Sequence, residues 1–253
     1  MRKLLQLLAD NRGPRAPVQL EGSTLYVYDA IVGTNAEADF WGGVSAEALV
    51  PVLLNQPQGA TLTMRINSGG GDAFAGQAIL NAMRQSPATI NVEVDGLAAS
   101  AASIIALGGD RVRIAEGAML MIHNAWIIAM GNAQDMIETA ALLSKVDDTA
   151  AQQYADKTGK DKARMADLMA AETWFTASEA LDIGLVNEIV KPAAKAQAQA
   201  QASAPAKVWN LSAYSKPPQA ACQAPQPPAE PVLSPEQARA LMARVDKRWR
   251  RAA

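Results

Sequence analysis

Apolar and polar residues alternate in Thr24-Leu25-Tyr26-Val27-Tyr28 and in Thr61-Leu62-Thr63-Met64-Arg65-Ile66, and both runs are rich in β-formers. A period of two predicts strands with one buried face. Ile90-Asn91-Val92-Glu93-Val94 repeats the pattern, and Val112-Arg113-Ile114 and Met119-Leu120-Met121-Ile122 predict two further short strands. Between them the period changes. Ser45 is placed to cap a helix running to about Leu54, Ala73 to Gln85 reads as a helix, and Ala99 to Leu107 as a short buried one. Asn132 is a plausible cap for a long helix ending near Lys157. Strand, turn and helix repeated in this way predict an α/β fold with mostly parallel pairing.

The pattern breaks near Lys191. Of the 41 residues from Lys191 to Pro231, 13 are Ala, 8 Pro and 6 Gln. That composition predicts a loosely extended linker with little to bury. Ser234-Pro235-Glu236 then has the form of a helix start, and a basic helix is expected to about Arg251, with six Lys or Arg against Glu236 and Asp246. The expected organisation is an N-terminal extension over 1–20, one domain over 21–190, a linker over 191–231 and a helical tail over 232–253. The tail reads as a solvated helix or as a docking element for an acidic partner.

Composition narrows the chemistry. With 49% hydrophobic and 19% charged residues the chain can build a core, and a net charge of -2 excludes a nucleic-acid-binding polyelectrolyte. One cysteine, Cys222, rules out an intramolecular disulfide, and one histidine, His123, rules out any metal site needing two imidazoles. Neither a secretory h-region nor a membrane span of about 18 apolar residues is visible, so a cytoplasmic protein is expected.

Three segments carry candidate chemistry. Asn67-Ser68-Gly69-Gly70-Gly71-Asp72 lies between a strand and a helix, and its N–H groups suit an anion or oxyanion. It lacks the Gly-Lys-Ser/Thr of a P-loop. Gly96-Leu97-Ala98-Ala99-Ser100-Ala101 is a second strand-to-helix turn, in which Ser100 is a candidate nucleophile or merely an N-cap. If it attacks a carbonyl, the Ala101 N–H can stabilise the oxyanion, with Gly70 as second donor. His123 ends an apolar strand one helix and one strand later, and histidine is the natural base for a serine. Spacing alone does not choose the acidic third member.

Together these segments resemble the Clp protease proteolytic subunit, and most closely its phage relatives, the Clp-like head-maturation proteases. The resemblance rests on Ile66-Asn67-Ser68-Gly69-Gly70-Gly71, Gly96-Leu97-Ala98-Ala99-Ser100, Met121-Ile122-His123, Thr176-Ala177-Ser178-Glu179-Ala180 and Gly184-Leu185-Val186, spanning roughly Leu25 to Val190. It implies a crotonase-like spiral of ββα units with a protruding long helix, here Asn132 to Lys157, that packs against partner subunits. It implies Ser100 as nucleophile, His123 as base, and Gly70 and Ala101 as oxyanion donors. Glu172 stands at the position of the family's Asp, with a backbone carbonyl, Asp147 or Asp148 as alternative orienters. Gly71 and Asn124 fall where an extended substrate would lie, along the glycine turn and the segment after His123. No metal or organic cofactor is implied.

Two departures point to the phage-type branch: Gly69 stands where the housekeeping enzyme has a proline, and the Ala/Pro/Gln-rich extension is additional. The expected function is a serine endopeptidase cleaving capsid or scaffold proteins in an assembling prohead in the host cytoplasm, as a homo-oligomer with no nucleic-acid or membrane partner. The alternatives are an ATPase-coupled degradative subunit, an acyl-CoA enzyme of the same fold, and a non-catalytic assembly protein. The linker is also expected to be a self-cleavage site.

Overall fold

A computed structural model describes residues 3–12, 19–127, 129–191 and 209–218. Its centre is a sheet in the order β1 (Gln19–Glu21), β2 (Thr24–Val27), β5 (Thr61–Ser68), β6 (Thr89–Ala99), β7 (Arg111–Ala115) and β10 (Glu188–Val190). From β2 onward these pairs are parallel. A separate two-stranded ladder joins β3 (Ile31–Val32) to β4 (Val44–Ser45). The alternation in β5 is real: Leu62, Met64 and Ile66 are buried while Thr63 and Arg65 are half-exposed.

Helices α3 (Ala46–Leu54), α4 (Ala73–Gln85) and α5 (Ala101–Ala106) supply Leu49, Leu53, Ile79, Leu80 and Ile105 to the main core. Ser45 does cap α3, accepting the Ala48 N–H at 3.2 Å, and Asp72 caps α4 in the same way. Among the described residues no helix is long and apolar enough to cross a membrane.

β6 is longer than its alternating stretch predicts. Its first half pairs with β7 and its second half, Leu97 to Ala99, pairs in parallel with β8 (Met119–Ile122). The switch falls at Gly96, where a Cβ would lie 2.9 Å from the Asn67 side chain. Consequently the strand runs through Ala99, and the helix expected from Ala99 begins only at Ala101.

The long helix α6 (Ala133–Thr158) is present, capped by Asn132 through a reciprocal bond with Asp135. Its buried residues, Ala151, Tyr154 and Ala155, lie at the C-terminal end. Met136, Ile137 and Leu142 face outward. α7 (Lys162–Ala170), β9 (Thr173–Thr176) and α8 (Ala177–Ile183) complete the domain, and α2 (Asn35–Trp41) precedes β4.

Both ends contribute packed segments, and the linker reading needs correction. The N-terminal extension contains a helix, α1 (Lys3–Asp10), that buries Leu7 and Leu8. Within the stretch read as a linker, Trp209–Pro218 is packed: Trp209, Leu211, Ala213 and Tyr214 join Leu7, Leu97, Ala99 and Met121 in a second core. Asn11 accepts the Asn210 N–H at 2.7 Å and donates to the Asn210 carbonyl at 2.9 Å, tying the two ends together. Ala/Pro/Gln composition hid two large aromatic residues that have somewhere to go. The other parts of 191–231 beyond Lys191, and the basic helix expected over 232–253, lie outside the described residues.

Candidate active site

Strand register alone assembles the site. Ser68 pairs with Ala98, so Gly70 comes level with Ser100. Ala99 pairs with Met121, which brings Ser100 and His123 out at the same sheet end. Ile122 pairs with Thr173 across the antiparallel β8–β9 ladder, so His123 faces the position of Glu172.

Ser100 occupies the N-cap position of α5 but does not cap it with its side chain. It adopts φ 55° and ψ -124°. A non-glycine residue in that region is strained, and such strain collects at functional sites. The conformation is over-determined by its neighbours. The Ser100 N–H donates to the Met121 carbonyl at 3.0 Å, and its own carbonyl accepts the Ser103 hydroxyl at 2.7 Å. Ser103 lies 2.7 Å from the buried Tyr154 hydroxyl, so the base of α6 braces the turn. The result is that Ser100 Oγ sits 2.7 Å from His123 Nε2.

Burial drives the His123 pKa down to about 4, partly offset by the negative charge of Glu172. The imidazole is therefore neutral at pH 7, the state that a general base requires.

Gly70 approaches the serine turn so closely that a Cβ there would be 2.6 Å from the Ala99 carbonyl. Its N–H donates to Ser68 Oγ at 3.1 Å. Ala101 heads the first turn of α5, where helix N–H groups have no intrahelical acceptor. Gly71 is bridged to Ile31, and Asn124 is exposed.

Glu172 is where register places it, but its carboxylate is engaged elsewhere. Its oxygens accept the Ser215 N–H at 2.8 Å, the Lys216 N–H at 2.5 Å and the Trp174 indole N–H at 3.4 Å. Burial opposes its ionisation, yet the Ser215 and Lys216 N–H bonds hold its pKa below the usual range. Asp147 accepts the Ala125 N–H at 2.7 Å, fixing the segment after His123, and Asp148 pairs with Lys162. Of the three carboxylates, Glu172 is the one whose charge raises the His123 pKa.

Two tyrosines escaped the sequence reading. Tyr154 lies buried within α6. Tyr214 lay inside the apparent linker. Its hydroxyl donates to the Gly69 carbonyl at 2.5 Å. A cavity of about 280 Å³ opens beside Ser100 and His123, walled by Phe74, Ile104, Leu142, Val146 and Ala150, with Gln153 among its polar groups.

Residues 43–193 match the family model for Clp protease. The chain belongs to the Clp protease family. It is 32% identical over 131 residues to the ATP-dependent Clp protease proteolytic subunit 2 of Corynebacterium glutamicum, covering 51% of this chain and 65% of that one. It is 29% identical over 161 residues to the proteolytic subunit of Deinococcus radiodurans, covering 63% and 78%. A mutant of ClpP1 from Listeria monocytogenes superposes with a TM-score of 0.56 at 23% identity, over 67% of this chain and 92% of that one, and shares the fold. The family is one of proteases, and the matched relatives are proteolytic subunits.

The departure at Gly69 has a physical cause in this Clp-family chain. A Cβ at Gly69 would lie 2.8 Å from the Trp209 ring, so the proline that stands there in the housekeeping enzyme is sterically excluded while the indole is in place.

Proposed function

We propose that this protein is a serine endopeptidase that cleaves capsid or scaffold proteins as a phage head matures. The observation that carries the chemistry is the strained Ser100, held 2.7 Å from a neutral His123. Ser100 Oγ attacks the scissile carbonyl while His123 Nε2 takes its proton. The developing oxyanion draws on the N–H groups of Ala101 and of Gly70, the latter shared with or released by Ser68. His123 returns the proton to the leaving amine, and water, deprotonated by the same imidazole, releases the acyl-enzyme. The apolar cavity beside Ser100 suits an apolar substrate side chain.

The setting in head maturation is supported by the resemblance of the motifs and by the additional segment beyond residue 193, part of which is built into the site. Co-expression with the candidate capsid protein tests it: wild type shortens the capsid chain and Ser100→Ala leaves it intact.

A second reading, an ATPase-coupled degradative subunit, is favoured by the curated relatives, which are ATP-dependent proteolytic subunits. Degradation of a folded substrate only in the presence of an unfolding ATPase and ATP selects that reading.

A further inference from the structure

The peptide joining Gly69 to Gly70 is one rigid plane, so its carbonyl and its N–H turn together. Glycine on both sides leaves that plane unusually free to rotate. In this structure both ends are held. The Tyr214 hydroxyl binds the Gly69 carbonyl and Ser68 Oγ receives the Gly70 N–H. Ser68 competes for the N–H that the oxyanion needs, whereas Tyr214 grips the opposite end and leaves that N–H free to be shared.

The Tyr214 ring also walls the imidazole. It meets His123 edge-on at 5.3 Å, and Trp126 meets His123 at 4.5 Å. Tyr214 is itself fixed: it is 4% exposed, packs on Trp174 at 5.6 Å, and is followed by the two N–H groups that Glu172 accepts. Trp209 anchors the same segment five residues earlier, stacking on Gly69 and donating its indole N–H to the Asn67 carbonyl at 3.2 Å. The segment thus holds two alternate carbonyls of the glycine turn.

We propose that Tyr214 is a positioning residue of the active site, whose hydroxyl sets the direction of the Gly69–Gly70 peptide and whose ring holds His123, with Glu172 holding the Tyr214 segment in place through the Ser215 and Lys216 N–H groups. This rests on reading Ser100 as the nucleophile and Gly70 as an oxyanion donor. It makes residues 209–216 part of the catalytic unit rather than of a linker.

Full-length wild type, Ser100→Ala, Tyr214→Phe, Glu172→Gln and the double variant are compared for fluorophosphonate labelling and for steady-state cleavage of an unstructured peptide. Tyr214→Phe keeps the ring and removes one oxygen. Its kcat falls about 10- to 100-fold with KM within about twofold, because the lost interaction serves the transition state. Glu172→Gln also lowers kcat, and the double variant is no worse than Tyr214→Phe alone, as expected of residues acting in one line. An unchanged or raised kcat in Tyr214→Phe, a loss confined to KM, or multiplicative losses in the double variant overturns the inference. Should Tyr214→Phe fail to fold, an unchanged kcat in folded Glu172→Gln overturns it equally. Labelling that survives Ser100→Ala overturns the nucleophile reading, and this inference with it. Labelling abolished in Ser100→Ala beside a wild-type Tyr214→Phe overturns this inference alone.

Discussion

Glu172 accepts the backbone N–H of Ser215 at 2.8 Å, a bond between residues 43 positions apart. The carboxylate that register sets opposite His123 therefore also fastens a distant segment over the site. Glu172 has φ 50°, so it is held in place at some conformational cost, as Ser100 is.

Removing that carboxylate strips away three N–H bonds, from Ser215, Lys216 and the Trp174 indole. Glu172→Ala is expected to destabilise the protein by about 2–3 kcal/mol, in the range for hydrogen bonds to charged groups. Its activity loss is expected to be smaller than that of His123→Ala. Thermal melts and peptide cleavage check both. A variant as stable as wild type contradicts the bonding described.

Activity should persist into acid. With the His123 pKa near 4, the base stays neutral well below the ordinary imidazole value of about 6.5. The acid limb of kcat/KM is expected near pH 4, and Glu172→Gln, by removing a charge that raises the His123 pKa, moves it lower. The same shift has a stability consequence. The folded pKa is depressed, so between about pH 6.5 and 4 the unfolded chain binds a proton that the native chain does not. His123 thus contributes stability above that window and loses it as pH falls through it. A kcat/KM limb at pH 6.5 contradicts the buried imidazole.

Gly69 and Trp209 are sterically matched. Gly69→Ala is expected to cost about 1–3 kcal/mol through overpacking against the indole. In a Trp209→Ala background the same change is expected to cost much less, and a double-mutant cycle on unfolding free energies measures the difference. Equal penalties in both backgrounds contradict the contact.

On α6, Ile137 is 62% exposed and Met136 and Leu142 lie on the same projecting stretch. Ile137→Glu is expected to weaken self-association, read as a lower mass in light scattering at micromolar concentration. A wild type that is already monomeric contradicts an interface there.

Self-cleavage was expected in the linker, where a tethered segment reaches an effective concentration of roughly millimolar. Because Trp209 and Tyr214 are packed in the second core, cuts are expected outside 209–218. Intact masses of wild type and Ser100→Ala show this. A cut between Trp209 and Pro218 contradicts the packing.

Much of the fold was legible because burial imposes periodicity. The alternation of Leu62, Met64 and Ile66, and the caps at Ser45 and Asn132, report local physics that tertiary structure did not override. His123 was legible because it ends an apolar strand, and Ser100 because it lies in a strand-to-helix turn of small residues. The extent of β6 was not, since pairing with β8 continues the strand through Leu97-Ala98-Ala99, a run with no alternation. Tyr214 was hidden for a different reason. Its partners, Gly69, His123 and the chain ends around Asn11, are remote in sequence, and the surrounding Ala, Pro and Gln set the local composition. Nothing local could reveal that Glu172 binds main-chain N–H groups of that same segment.

The most direct measurement is fluorophosphonate labelling of the full-length protein, with the modified residue located by peptide mass mapping. Wild type is expected to gain one label, on Ser100. Ser100→Ala and His123→Ala are expected to gain none, with His123→Ala losing on the order of 10^6 in turnover by analogy with a measured serine protease. A folded wild type that takes no label, or a label carried by Ser100→Ala, contradicts a serine peptidase built on this pair.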